Sequence, residues 1–365
     1  MRARIAGGWR ARGRVVGMVA AAVLPALLAV ILAAAPGAAQ SQEAAGVEER
    51  GAALRVYLLT MEPGDAVWER FGHNAIWIHD AMAGTDIAYN YGVFDFASED
   101  FVPNFIRGRL LYWLDRWDAG RMVQAYAAAG RTVWAQELNL TPSQRLELMG
   151  FLEWNARPEN RVYRYDYYRD NCSTRVRDAI DRVLGGRIRE ATEGVASGTT
   201  YRWHTRRAVA ADIPVYTGLD LAMGQPIDRP ISRWEEMFLP MELRENLAAI
   251  TVLDGNGEEV PLVARETLLY EATGRAPLPA VPPSRVVAYL LAGLVLGGGL
   301  AFLGWRAKVS PVARGALATS ASLWLLASGL LGVLLVFLWG FTDHWVTYRN
   351  ENVLQIGPLA LVVAG

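Results

Sequence analysis

Two long apolar runs near the C-terminus limit what this chain of 365 residues can fold into. Residues 286–305 and 315–341 are each long enough to cross a bilayer, for which about 20 apolar residues suffice. The loop between them carries Arg306, Lys308 and Arg314, and positive residues mark the cytoplasmic side of a membrane. We therefore predict two transmembrane helices, with the chain before the first and after the second outside the cytoplasm.

Both ends of the chain carry further apolar segments. Residues 1–14 contain five arginines, and they precede an apolar run at 15–35 and small residues up to Ala39. This arrangement is typical of a secretory signal peptide, which we predict at 1–39, with a retained membrane anchor as the alternative. Residues 353–365 begin another apolar segment whose 13 residues are too few to span a bilayer, so we expect an incomplete membrane domain.

The chain between these segments has the length and composition of one exported domain. Residues 40–271 are enough to bury a core. Residues 272–285 contain four prolines, and we predict a stiff linker there, leading to the membrane region at 286–365. The net charge of −1 leaves no broad basic surface, so we expect no nucleic-acid partner.

Short strands alternate with helices in this domain, which predicts an α+β fold. Thr141, Pro142 and Gln144 form a capping box that opens a predicted helix ending near Asn155. Residues 101–117 place aromatic residues among arginines, and we predict that this segment is helical in part. Apolar and aromatic runs bounded by Gly, Pro or Asp predict strands at 55–60, 74–78, 86–91 and 132–140.

The single cysteine, Cys172, opens another predicted helix. Apolar residues from Val176 to Leu184 recur at helical spacing, Asp170 or Asn171 is placed to cap the first turn, and two glycines follow. Free N–H groups and the positive end of the helix dipole at this position favour a thiolate, the reactive form of cysteine. The alternative is a small buried residue without a chemical role.

His73 is the candidate partner of this thiol among four histidines. It stands beside Gly72, which permits close approach, at the start of the predicted strand 74–78. His79 lies at the other end of that strand, roughly 20 Å away at about 3.3 Å per residue, so we expect one of the two to meet the thiol. The alternative for His73 is a strand-end histidine bonded to backbone.

A cysteine at a helix start with a histidine on a nearby strand is the arrangement used for covalent thiol catalysis. For a third group that orients the imidazole we select Asn90, with Asp86 and Asp95 as rivals. The Cys172 backbone N–H is the candidate donor to an oxyanion. Scattered histidines and one cysteine match none of the usual zinc spacings, so we predict neither a metal nor another cofactor.

The histidine precedes the cysteine, and in this order the chain resembles circularly permuted papain-like enzymes, such as the lecithin:retinol acyltransferase and permuted NlpC/P60 groups. Several motifs together resemble the Lnb family of bacterial lipoprotein N-acyltransferases over about residues 54 to 355. These motifs are Phe71-Gly72-His73, Tyr89-Asn90-Tyr91-Gly92, Phe94-Asp95-Phe96, Arg107-Gly108-Arg109-Leu110, Tyr168-Arg169-Asp170-Asn171-Cys172-Ser173-Thr174, Asp343-His344 and Asn350-Glu351-Asn352.

That resemblance implies a periplasmic thiol domain on the bacterial inner membrane, with the membrane, a phospholipid acyl donor and a lipoprotein acceptor as partners. A fatty acyl group would pass from the phospholipid through a Cys172 thioester to the N-terminal amine of the lipoprotein. Two alternatives remain at this point. One is a papain-like hydrolase acting on cell-wall peptides or lipid esters, and the other is a membrane-tethered binding module in which Cys172 is merely buried.

Overall fold

A seven-stranded antiparallel sheet organises the domain that precedes the membrane helices. The computed structural model describes residue 46 and residues 48–364. The predicted signal peptide at 1–39 lies outside these residues. The strands are Leu54–Met61 (β1), His73–Asp80 (β2), Thr85–Val93 (β3), Leu111–Asp118 (β4), Val133–Leu138 (β5), Val162–Arg164 (β6), Ala196–Thr200 (β7), Pro230–Ser232 (β8), Thr251–Leu253 (β9), Glu259–Pro261 (β10) and Val263–Tyr270 (β11).

The large sheet has the spatial order β11-β5-β1-β2-β3-β4-β6, and β7-β8 and β10-β9 form two small sheets. All four predicted strands are confirmed, as β1, β2, β3 and β5. The helices are Phe101–Arg107 (α1), Ala119–Ala128 (α2), Pro142–Asn155 (α3), Cys172–Val183 (α4), Arg187–Thr192 (α5), Tyr201–Ala208 (α6), Ile213–Ala222 (α7), Arg233–Glu236 (α8), Pro240–Ala248 (α9), Val286–Arg306 (α10), Pro311–Gly340 (α11) and Ala360–Ala364 (α12).

Strand β1 shows that both faces of the sheet are covered. Val56 and Leu58 point to the face packed by α3 and α4, and both are fully buried. Leu59 and Met61 point to the opposite face, where they pack with Met122 of α2. Successive side chains of a strand point to opposite faces, so a strand covered on both sides needs apolar residues at consecutive positions. The mixture of layers is the expected α+β arrangement.

The segment 101–117 is helical in part, as predicted. Its first part forms α1, and from Leu111 onward it is strand β4, which is not among the four predicted strands and pairs with β3 and β6. Gly108 ends the helix in the left-handed conformation at φ 73°, where its N–H caps the last turn. Beyond it, Trp113 pairs with Val93 and Leu114 with Tyr91, so the second half of the segment is fixed by sheet pairing.

Two helix predictions are confirmed with their caps. In α3 the Thr141 hydroxyl accepts a hydrogen bond from the Gln144 N–H at 3.3 Å, and Gln144 Oε1 accepts one from the Thr141 N–H at 2.9 Å. In α4 the cap is Asn171 and the helix begins at Cys172, as expected. The helix stops before Gly185, whose φ of 64° is left-handed.

In the described part of the chain, α10 and α11 are both long and apolar enough to span a membrane, with a mean hydropathy of 2.3. Helix α11 begins at Pro311, earlier than predicted, because Ser310 caps its first turn by accepting from the Ala313 N–H at 3.3 Å. Residues 353–365, the predicted partial segment, contribute α12, which packs against α11 at Gly329.

The sheet domain contacts the membrane helices at the start of α10 and just after the end of α11. Before α10, Arg285 Nη2 donates to Ala210 O at 2.7 Å, and within α10 Tyr289 bonds Thr217 of α7 at 2.7 Å. After α11 the chain returns to the domain, where Asn350 Nδ2 donates to Leu221 O at 2.8 Å. The sheet domain therefore sits against the end of α10 and α11 from which the chain enters and leaves.

Candidate active site

Cys172 lies at the first position of α4, and its own sequence neighbours fix it there. The Asn171 side chain accepts from the Thr174 N–H at 2.9 Å, and Thr174 Oγ1 accepts from the Asn171 N–H at 2.8 Å. Asn171 Nδ2 also donates to Phe238 O at 2.9 Å, which ties the cap to the chain before α9. These reciprocal bonds satisfy helix-end N–H groups and leave the thiol at a rigid helix start.

His73 and Cys172 meet beside Gly92. A Cβ placed on Gly92 would lie 3.4 Å from Cys172 Cβ and 3.9 Å from His73 Cε1, so both side chains border one small space. Gly92 has a φ of 92°, and the pairing of β3 with β4 shifts register at this point. The missing side chain and the irregular strand together open the sheet toward the helix start.

Asn90 is the described side chain that bonds the imidazole. The His73 Nε2–H donates to Asn90 Oδ1 at 2.6 Å, which leaves Nδ1 of the same ring as an acceptor. Of the two rivals, Asp86 instead accepts from Trp77 Nε1 and contacts His79, and Asp95 caps an exposed turn by accepting from the Ala97 N–H. The structure thus brings together Cys172, His73 and Asn90, and places His79 in a separate contact with Asp86.

The ionisation of the thiol differs from the prediction. Burial raises the pKa of Cys172, although the backbone N–H groups of Asn74, Ser173 and Cys172 itself point to the sulfur and favour its anion. The expected lowering by the helix start is therefore wrong for the resting protein, because desolvation outweighs it. Burial likewise lowers the pKa of His73 to about 4. At neutral pH the resting pair is a thiol and a neutral imidazole.

Sequence reasoning missed two residues behind the imidazole. The ring of Tyr126 stacks on His73, with 5.9 Å between centroids and 14° between planes, and the Arg131 guanidinium lies 4.6 Å from the Tyr126 centroid. Arg131 is 3% exposed, and its Nε donates to Glu62 O at 2.8 Å. Its charge lowers the pKa of both Cys172 and His73. Arg131 follows Gly130 in a turn, and no helix or strand periodicity in the sequence indicates that it approaches the site.

His344, which follows α11, contacts the sheet domain. Its Nε2–H donates to Phe105 O at 2.9 Å, and its ring stacks on Tyr167 at 6.1 Å and 15°. Beside it, Asp343 accepts from Arg109 Nε and Arg164 Nη2, each at 2.9 Å. These contacts bind the end of α11 to the loops around the candidate site.

One group in the described chain has side chains suited to a metal. Ligand atoms of His204, Glu236 and Glu242 lie within 4.8 Å of one another. However, Arg207 Nη1 lies 3.4 Å from His204 Nδ1 and 3.9 Å from Glu242 Oε1, and His204 Nε2 bonds Glu236 at 2.8 Å. These side chains therefore form a polar network of their own, in which the Arg207 guanidinium supplies positive charge beside Glu242.

The fold and this site define a membrane-attached α+β domain with a buried Cys–His–Asn group. Residues 48–211 match the family model described as the Lnb N-terminal periplasmic domain, and residues 282–365 match the one described as the Lnb transmembrane domain. The chain belongs to the Lnb family. It is a membrane-associated enzyme of lipoprotein maturation with a periplasmic domain. Comparison with curated proteins and with solved structures found no match.

Proposed function

We propose that this protein is a cysteine acyltransferase of the inner membrane. It moves a fatty acyl group from a phospholipid, through a thioester on Cys172, to the N-terminal amine of a lipoprotein. The observation that carries the proposal is the meeting of a helix-start thiol and a neutral imidazole in a domain held against membrane helices. We further propose that the domain is a circularly permuted papain-like, NlpC/P60-like fold, which the order His73 before Cys172 supports.

In the first half-reaction, Nδ1 of His73 accepts the thiol proton while the Cys172 sulfur attacks the carbonyl carbon of a phospholipid ester. The tetrahedral oxyanion would be held by the Cys172 backbone N–H, the donor expected from the sequence, together with the N–H groups of Asn74 and Ser173, which also point to the sulfur. When the ester C–O bond breaks, the imidazolium returns the proton to the departing oxygen. The products are the Cys172 thioester and a lysophospholipid.

In the second half-reaction, the lipoprotein amine attacks the thioester carbonyl and His73 takes a proton from the amine nitrogen. The C–S bond then breaks, the proton returns to the sulfur, and an amide is formed. Asn90 holds the imidazole in the tautomer that keeps Nδ1 available for both proton transfers. With water as the acceptor, the same steps would release a free fatty acid, which is the hydrolase alternative.

Intact-mass spectrometry of the full chain tests the proposal. The protein in lipid nanodiscs is incubated with a phospholipid carrying an isotope-labelled acyl chain, without acceptor, and weighed before and after neutral hydroxylamine. We expect a labelled acyl mass that hydroxylamine removes, and none on Cys172→Ser. Adding a diacylglyceryl lipopeptide should then transfer the label to its amine.

Two variants separate the roles of the other residues. His73→Ala should slow thioester formation by about 10²- to 10⁴-fold, the usual contribution of a general base. Asn90→Ala should slow it by about tenfold, because one neutral hydrogen bond of about 1.4 kcal/mol corresponds to that factor. Labelled free fatty acid without transfer to the lipopeptide would favour the hydrolase. Acylation of Cys172→Ser that neutral hydroxylamine still removes would exclude the Cys172 thioester, because the variant has no cysteine.

A further inference from the structure

A continuous apolar surface, which we call the aromatic face, lies beside the end of α11. Its rings form a row, with centroid distances of 5.2 Å from Trp68 to Phe96, 4.9 Å from Phe96 to Phe101 and 6.3 Å from Phe101 to Phe105. Exposed apolar side chains complete it, each 47% to 74% exposed. The exposed members of the face are Trp68, Phe96, Val102, Phe105, Ile106 and Phe341.

The aromatic face is fixed to the membrane-spanning helix. The Asp343 N–H donates to Arg107 O at 2.8 Å, and His344 bonds the backbone of Phe105. A Cβ on Gly108 would lie 2.8 Å from the backbone nitrogen of His344, so the end of α1 packs directly against the chain that leaves α11. Because α11 ends at Gly340, α1 lies beside the end of α11 from which the chain returns to the domain.

Exposed charges of both signs border the face, as they do in a lipid headgroup layer. Asp95, Glu99 and Asp100 precede α1, and Arg107 stands in its last turn. Arg109 and Arg164 both bind Asp343. Aromatic side chains and arginines are the residues that anchor proteins at a membrane–water interface. Contiguous exposed apolar side chains on a folded domain usually mark a surface that binds a partner or a membrane.

We propose that the aromatic face lies in the periplasmic leaflet of the membrane that holds α10 and α11. Helix α1 is then an interfacial helix, with its apolar side buried by about 5–10 Å at the headgroup and acyl boundary. The partner is the lipid surface itself. This placement concerns the position of the domain and holds whatever reaction the thiol performs.

The aromatic face also leads to the candidate site. Phe94 stacks on Phe101 of the face at 5.9 Å and on Tyr112 at 4.7 Å, and Tyr112 stacks on Tyr165 at 4.3 Å. The next ring, Tyr163, has its hydroxyl 3.9 Å from the position of a Gly92 Cβ. If the proposed function holds, this half-buried row of rings guides an acyl chain from the leaflet to the thiol.

The single cysteine makes the placement directly testable. In a Cys172→Ser background, Val102→Cys and Ile106→Cys receive a spin label in nanodiscs of phosphatidylethanolamine and phosphatidylglycerol. Met82→Cys is the matched control, because Met82 is 63% exposed and lies at the β2–β3 turn, the opposite end of the hairpin from Gly92. Collision with oxygen, which partitions into lipid, is compared with collision with a water-soluble nickel chelate.

We expect the ratio of oxygen to nickel accessibility to be several-fold higher at positions 102 and 106 than at position 82. Equal ratios at all three positions would overturn the proposal. The labelled proteins lack the Cys172 thiol, so this result does not depend on acyl transfer.

A separate measurement tests the route of the acyl chain. The double variant Val102→Asp with Ile106→Asp should slow acylation of Cys172 by phospholipid but leave alkylation of Cys172 by a small water-soluble reagent unchanged. If the double variant is acylated as fast as the wild type, the route of the acyl chain along the rings is contradicted, but the position of the aromatic face in the membrane is not.

Discussion

Gly92→Ala places one methyl group where Cys172, the proposed nucleophile, and His73, the proposed base, border one space. The new Cβ would lie 3.4 Å from Cys172 Cβ, a contact at the tight edge of the ordinary range, and 3.9 Å from His73 Cε1. It would occupy the space through which a carbonyl carbon must approach the sulfur. The φ of 92° adds a backbone penalty of about 1–2 kcal/mol, because a Cβ is disfavoured in this region. We therefore expect two separable effects, one on folding and one on chemistry.

Gly84→Ala supplies the matched control. Gly84 also has a positive φ, 64°, but a Cβ there would meet no atom within 4 Å, and it lies in the turn at the far end of the same hairpin. Both variants should lose about 1–2 kcal/mol of folding stability, measured by urea unfolding of the detergent-solubilised protein. Only Gly92→Ala should lose activity, by roughly 10- to 100-fold in the rate of thioester formation, since a displacement near 1 Å costs up to about 10²-fold.

The comparison between the two variants decides the outcome. If Gly92→Ala forms the thioester as fast as Gly84→Ala, the space beside Gly92 is not where the acyl group reaches the sulfur. If Gly92→Ala unfolds far more easily than its control, the contact with Cys172 is a packing clash rather than a block in an open site.

Two further predictions concern the charge of the thiol. Because burial raises the pKa of Cys172, the resting form at pH 7 is the thiol, and alkylation by iodoacetamide should continue to accelerate as the pH rises from 7 to 9. A plateau below pH 8 would contradict this assignment. Arg131→Gln removes a cation that lowers this pKa and should slow alkylation at pH 8, whereas Arg265→Gln, on an exposed strand edge, should not. Equal rates in the two variants would exclude the electrostatic role of Arg131.

Local sequence signals predicted the elements that carry the candidate site. The capping box at Thr141 and the Asn171–Cys172 helix start depend on residues adjacent in the chain, and so does the apolar run that forms β2. The pairing of β2 and β3 then brings His73 near Asn90, which a sequence can suggest when both strands are recognised. For that reason the sequence alone predicts Cys172, His73 and Asn90 as candidate site residues.

Other features depend on neighbours distant in the chain. Strand β4 is not among the strands predicted from the sequence, because its structure is set by pairing with β3 and β6. The low acidity of Cys172 results from burial by the sheet and by α4 itself, whereas a sequence shows only the helix start that favours the anion. Arg131 approaches the site because α2 folds across the sheet, and nothing in its local sequence signals that position.

The neutral resting pair is consistent with acyl transfer at a lipid surface. A preformed thiolate and imidazolium would have to remain desolvated in a buried site, and their charges would draw water toward a thioester that water can hydrolyse. A thiol and an imidazole carry no such cost, and the proton moves only when a carbonyl is present to accept the developing charge. If the aromatic face is covered by lipid, the side of the site nearest the membrane is also the side from which water is excluded. The same burial that opposes ionisation of Cys172 would then protect the thioester until the lipoprotein amine arrives.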